Sequence, residues 1–203
     1  MRLKIKYLNQ ISRLFGIVLC GGSSSRMGSD KGLIQKNGKT WGEYCATLLE
    51  NYAKKVIISI NEKQYFKYHF LLQKYEFVAD SIKLRGPLAG LLSVHLVYPG
   101  SSFLVLACDM IDMDSVILNK LIDAYKKNKG YDFYVFRNLN HIEPLCGIYK
   151  PEGLRKALNS LFTGEMKDNS IQYMLSNGNT LFLDLDEEDI KYFHSYNSQL
   201  DLA

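Results

Sequence analysis

The feature that most constrains this 203-residue chain is a recurring alternation of two hydrophobic patterns. Short apolar runs rich in β-branched residues are separated by segments whose apolar residues recur at helical spacing. Phe15–Cys20, Lys55–Ile60, Glu76–Ala79, Ser102–Ala107, Asp132–Arg137, Pro144–Tyr149 and Thr180–Leu185 read as strands. Trp41–Tyr52, Tyr65–Gln73, Leu88–Val97, Ser115–Lys127, Glu152–Leu161 and Glu187–Tyr196 read as helices. In Ser115–Lys127 the apolar side is expected to carry Val116, Leu118, Leu121, Ile122 and Tyr125. Strand alternating with helix implies βαβ units with right-handed crossovers. The strands are apolar without interruption, SFLVLA at 102–107 most of all, as in a mainly parallel sheet covered on both faces. A single α/β domain over 1–203 is expected, with an N-terminal extension at 1–14 and a core over about 15–196.

With 47% hydrophobic and 23% charged residues, the chain falls outside the disordered, collagen-like and coiled-coil classes. No apolar run reaches the ~18 residues of a membrane span, and the first residues lack a signal peptide's apolar core. Four widely spaced cysteines, at 20, 45, 108 and 146, form no C-x-x-C pair or Cys/His cluster. They read as reduced thiols of a cytoplasmic protein rather than as a zinc site or disulfide framework. Residues 1–100 hold 15 Lys/Arg against 6 Asp/Glu, and residues 101–203 hold 10 against 15. The first half is therefore suited to an anion such as phosphate. No basic run interleaved with aromatics points to nucleic acid.

Open α/β sheets bind ligands beyond the carboxyl ends of their strands. In this chain those ends lead into Gly21–Lys31, Asn61, Asp80 and Asp109. The first is the richest: LCGGSSSRMGSDK, residues 19–31. Gly21 and Gly22 let the backbone turn and approach a ligand, successive amides can face phosphate oxygens, and Arg26 and Lys31 add positive charge. It is neither a P-loop nor a G-x-G-x-x-G dinucleotide loop, since Gly28 is followed by Ser29 and Lys31 by Gly32. His69, His95, His141 and His194 lack metal-ligand spacing, and Tyr65, Phe66, Tyr68 and Phe70 read as the covering of a helix.

The stretch GIVLCGGSSSRMGSDKGL resembles the signature of the molybdenum cofactor guanylyltransferases, L-A-G-G-x-S-x-R-M-G-x-D-K, with Cys20 in place of its alanine. Further likenesses follow in order: ISIN at 58–61, Ala79-Asp80 before GPLAG at 86–90, Cys108-Asp109, and EPL at 143–145. The resemblance implies a Rossmann-like, three-layer α/β/α sandwich of the nucleotide-diphospho-sugar transferase type. It implies a Mg²⁺-dependent transfer of GMP from GTP to molybdopterin, and contact with cofactor-synthesis and cofactor-insertion proteins. Carried over by position, Arg26, Lys31 and Asp109 would be catalytic and Asp109 would hold the metal. Leu19, Cys20, Gly21, Gly22, Lys31, Asn61, Asp80 and Asp109 would contact the nucleotide, the first three through backbone groups. The chain departs from the family where Ile111 replaces a proline and where Asp184 and Asp186 replace an Asn-x-Asn pair, placing two carboxylates near a phosphate. Two other readings fit the same residues: a cytidylyl- or sugar-phosphate nucleotidyltransferase, whose loops tend to read L-A-A-G, and a catalytically silent nucleotide- or partner-binding module.

Overall fold

A computed structural model of the chain describes residues 13–21 and 30–196. Its strands are β1 (Leu14–Leu19), β2 (Gln35–Lys36), β3 (Lys39–Thr40), β4 (Val56–Ile60), β5 (Glu76–Ala79), β6 (Ser102–Ala107), β7 (Phe133–Asn138), β8 (His141–Tyr149) and β9 (Thr180–Asp184). Its α-helices are α1 (Trp41–Glu50), α2 (Tyr65–Leu71), α3 (Pro87–Val97), α4 (Ser115–Lys127), α5 (Pro151–Phe162) and α6 (Ile171–Asn177). Seven strands form one sheet in the order β5-β4-β1-β6-β8-β7-β9. Every neighbouring pair is parallel except those made by β8, which runs against both β6 and β7. Six carboxyl ends and the amino end of β8 therefore share one edge of the sheet.

Because successive side chains point to opposite faces of a strand, each strand feeds two cores. Val18, Ile58, Leu104, Leu106 and Phe136 pack with residues of α1, α2 and α4. Ile17, Ile57, Phe103, Val105 and Val135 pack with residues of α3, α5 and α6. The result is the expected three-layer α/β/α arrangement with a mainly parallel sheet. Residues 88–95 of α3 are all buried, as in a helix enclosed on every side. Side chains cap several helices: Thr40 Oγ1 accepts from the Glu43 amide at 3.2 Å, and Asp114 Oδ1 from the Val116 amide at 3.1 Å.

Some local expectations are corrected. On α4 Leu118, Leu121, Ile122 and Tyr125 are buried as expected, but Ile117 is buried in place of Val116, which is half exposed. Phe66 and Phe70 are 86% and 76% exposed, and only Tyr68 of that aromatic group is fully buried. The final segment Glu187–Phe193 winds as a 3-10 helix rather than an α-helix. The β2–β3 hairpin turns at Asn37 and Gly38, both at positive φ, and α6 is a further element outside the sequence reading. Ile117→Ala is expected to cost about 2–4 kcal/mol in denaturant unfolding, and Val116→Ala less than about 1 kcal/mol. Equal costs would contradict the assigned helix phase.

Candidate functional site

The pairing of β1 with β6 puts Leu19 beside Ala107, so the segments leaving both strands start side by side. The Cys108 amide continues the pairing by donating to the Leu19 carbonyl at 3.1 Å. Across this junction Lys31 Nζ meets Asp109 Oδ2 at 2.9 Å, their side chains only 21% and 16% exposed. Asp109 sits in a turn closed by the Met110 amide on the Ala107 carbonyl, and the Cys45 thiol donates to that same carbonyl at 3.4 Å. Asp109 does not cap α4, because Asp114 does. Among the described residues its second oxygen receives a long bond, 3.5 Å, from Ser195 Oγ, while its carbonyl accepts from the Tyr196 amide at 3.2 Å.

Asn61 and Asp80 follow β4 and β5 and are gathered around Gly21. A Cβ on Gly21 would lie 3.2 Å from Asp80 Oδ2 and 3.7 Å from the Asn61 amide nitrogen. Asn61 precedes the 3-10 turn Glu62–Gln64, and Asp80 does not cap α3, whose N-cap is Gly86. Ser59 Oγ, Asn61 Oδ1 and Asp80 Oδ1 are buried and make no hydrogen bond of regular geometry among the described residues. Unpaired buried polar atoms are costly and mark a place built for a polar group. Gly90 of α3 is required by close approach, because a Cβ there would strike Ser59 Oγ and lie 3.3 Å from Asp80 Oδ1. The amides of Cys20 and Gly21 both donate to the Ser59 carbonyl, at 2.9 and 3.1 Å, so a nucleotide would have to compete for them.

A cleft of about 650 Å³ opens on the same edge, lined by Lys83, Arg85, Gly86, Pro144, Leu145 and Ser170 among others. Gly86 adopts φ 89° ahead of Pro87 at the start of α3. Pro144 and Leu145 reach the cleft because β8 bulges: Val135 pairs with Gly147 but Phe136 with Glu143. Burial raises the Glu143 carboxyl above its ordinary value, with His141 opposing. The two aspartates in the C-terminal segment are both paired with cations. Asp184 Oδ1 lies 2.8 Å from Arg137, and Asp186 Oδ2 lies 3.3 Å from Lys120, which also holds Asp189 at 2.5 Å. Asp184 thus has a cation of its own 47 residues away in the chain, whereas Asp186 shares its cation, 66 residues away, with Asp189.

The structure brings together Leu19, Cys20, Gly21, Lys31, Asn61, Asp80 and Asp109; Gly22 and Arg26 lie outside the described residues. No group of three or more His, Cys, Asp or Glu able to hold a metal occurs among the described residues. A Mg²⁺ ion bound by one carboxylate and nucleotide phosphates needs no such group, and the weakly engaged Asp109 Oδ1 fits that role. Motif reading missed Gln64 and Tyr68, which hold Asp30, and Arg137, which pairs with Asp184. Helical spacing on α2 could have marked Tyr68 as inward-facing, and the capping-box spacing Asn61-x-x-Gln64 could have marked Gln64; Arg137 gave no such signal.

The family profile described as MobA-like NTP transferase domain matches residues 16–178. A probable molybdenum cofactor guanylyltransferase from Methanocaldococcus jannaschii is 31% identical over 192 residues, covering 88% of this chain and 90% of the relative. A molybdenum cofactor biosynthesis bifunctional protein from Synechocystis is 34% identical over 142 residues, covering 70% of this chain; the match spans 40% of that relative's length. The solved structure of molybdopterin-guanine dinucleotide biosynthesis protein A from Archaeoglobus fulgidus superposes with a TM-score of 0.73 at 22% identity, covering 93% of this chain and 94% of that one.

Burial raises the Asp80 carboxyl above its ordinary value, with the Ser59 hydroxyl opposing. An acid raised by folding ionises first in the unfolded chain, so stability falls as pH climbs from the ordinary carboxylate range through the folded pKa. Asp80→Asn is therefore expected to raise Tm at pH 7 over wild type, with the gain shrinking below about pH 4. A gain equal at pH 3 and pH 7 would contradict the assignment.

Proposed function

Because the chain belongs to the family of MobA-like NTP transferase domains, we propose that it transfers GMP from GTP to the terminal phosphate of molybdopterin, forming molybdopterin guanine dinucleotide and pyrophosphate. The observation that carries this reading is the Lys31–Asp109 pair at the carboxyl edge of the two central strands, beside the gathered Gly21, Asn61 and Asp80.

An acceptor phosphate oxygen attacks the α-phosphorus, and the bond to the bridging oxygen of the leaving pyrophosphate breaks. A phosphate monoester is largely ionised at neutral pH, so no general base is required. Catalysis rests on positioning and on neutralising charge. Lys31 supplies a cation for the phosphates, and its pairing with Asp109 holds both groups in place before substrate arrives. Arg26 adds a second cation from the same loop. Asn61 and Asp80 orient the guanine nucleotide, and Leu19, Cys20 and Gly21 offer backbone groups to it, with Gly22 following them in the sequence. Mg²⁺, held by Asp109 together with the nucleotide phosphates, would further neutralise charge on the departing pyrophosphate. Lys83 and Arg85 at the cleft suit an anionic acceptor.

Four buried thiols suit a reducing compartment, so the reading carries a cytoplasmic location with it, as well as transient contact with proteins that supply and receive the cofactor. No helix among the described residues is long and apolar enough to cross a membrane.

Calorimetric titration with GTP, CTP, ATP and UTP, each with Mg²⁺, tests the proposal. GTP is expected to bind in preference to the others. Asp109→Ala is expected to abolish turnover with the fold intact, and Lys31→Ala to weaken GTP binding by about tenfold or more. A preference for CTP, or near-normal turnover in folded Asp109→Ala, would refute this assignment.

A further inference from the structure

One buried amide side chain ties together three segments that reach the candidate site from different parts of the chain. Gln64, 8% exposed, ends the 3-10 turn after β4. Its Nε2 donates to the Cys20 carbonyl at 3.1 Å and to Asp30 Oδ2, and its Oε1 accepts from the Asn61 amide at 2.7 Å. Both donor hydrogens and one acceptor of the amide are thereby engaged by the end of β1, the end of β4 and the return of the glycine loop. The other Asp30 oxygen accepts from the Tyr68 hydroxyl at 2.6 Å. Burial pushes that phenol's pKa up, keeping it a donor.

Asp30 directly precedes Lys31, and the carbonyls of the two residues accept from the amides of Leu33 and Ile34 at 3.0 and 3.1 Å. With both Asp30 oxygens held, the main chain at 30–31 is fixed where Lys31 Nζ reaches Asp109. We propose that Gln64, seconded by Tyr68, is a positioning residue for phosphate binding: through Asp30 it sets the place of Lys31, and through Cys20 and Asn61 it fixes the two strand ends that flank the nucleotide. This inference rests on the nucleotidyl-transfer reading. Gln64 itself touches no reacting atom.

Gln64→Glu is the sharpest test because it keeps size and shape. It retains an acceptor for the Asn61 amide, but turns the donor toward Cys20 and Asp30 into a carboxylate oxygen facing a carbonyl and a carboxylate. GTP affinity in Mg²⁺ is expected to fall about tenfold or more in Gln64→Glu and less in Tyr68→Phe. Adding Asp30→Asn to Gln64→Glu is expected to recover part of the loss, because the new amide can donate to the glutamate. Leu158→Ala, a core truncation on α5 remote from these contacts, lowers stability and is expected to leave GTP affinity unchanged.

Hydrogen exchange gives a readout that needs no nucleotide. The Leu33 and Ile34 amides are expected to exchange faster in Gln64→Glu and Tyr68→Phe, but not in Leu158→Ala. A wild-type chain that binds no GTP refutes the nucleotidyl-transfer reading. Unchanged Leu33 and Ile34 exchange in both network variants overturns the positioning role, and Tyr68→Phe alone decides if Gln64→Glu does not fold. A GTP affinity loss in Leu158→Ala as large as in Gln64→Glu also overturns it.

Discussion

The parallel pairing of β1 with β6 is the constraint on which the rest of the site depends. Six residues of each strand run in register from Leu14 beside Ser102 to Leu19 beside Ala107. Both strands are enclosed by the two helical layers, so a slip by one residue would send each inward side chain to the wrong face. That register brings the end of β1, with Cys20 and Gly21, beside the segment that carries Asp109. β4 and β5, paired in parallel on the other side of β1, deliver Asn61 and Asp80 next to it. The antiparallel β8 then contributes its amino end, with Pro144 and Leu145 bulged toward the cleft.

Electrostatics at this edge is organised in pairs rather than as an open positive field. Lys31 is held by Asp109, Asp184 by Arg137, and Asp186 with Asp189 by Lys120. The first two pairs are neutral, whereas Lys120 with its two aspartates keeps a net negative charge; each arrangement holds a cation or carboxylate at a defined place. Three of the buried polar atoms that make no regular hydrogen bond among the described residues, on Ser59, Asn61 and Asp80, lie around Gly21. A nucleotide site needs this contrast: cations held ready for phosphates, and unsatisfied oxygens where hydrogen-bond donors of a base and ribose can be read.

Strands such as Glu76–Ala79 and Ser102–Ala107 were legible to the residue because each is a short apolar run with a polar stop. Asp109 and Asp80 were legible as candidates because each follows such a strand. The hairpin at Asn37 and Gly38 carries a two-residue turn signal that apolar periodicity alone passes over. Neighbouring apolar residues on a helix differ by only about 100° of rotation, so periodicity placed Val116 inward where Ile117 belongs. Other features are properties of pairing. The β8 bulge exists only relative to β7, and the Arg137–Asp184 contact arises because β7 and β9 are parallel neighbours with those residues in register. Gln64 is legible locally as the partner of Asn61 in a capping box, but its hold on Cys20 and Asp30 is visible only once those residues converge on it.

The central claim is a group transfer, and following the transferred group tests it most directly. The purified chain would be mixed with molybdopterin, Mg²⁺ and GTP labelled at the α-phosphate, with product and pyrophosphate measured together. The account predicts label in a molybdopterin dinucleotide, with one pyrophosphate released for each label transferred. Label that stays in GTP or appears only as free GMP would contradict it, as would transfer from α-labelled CTP in preference to GTP.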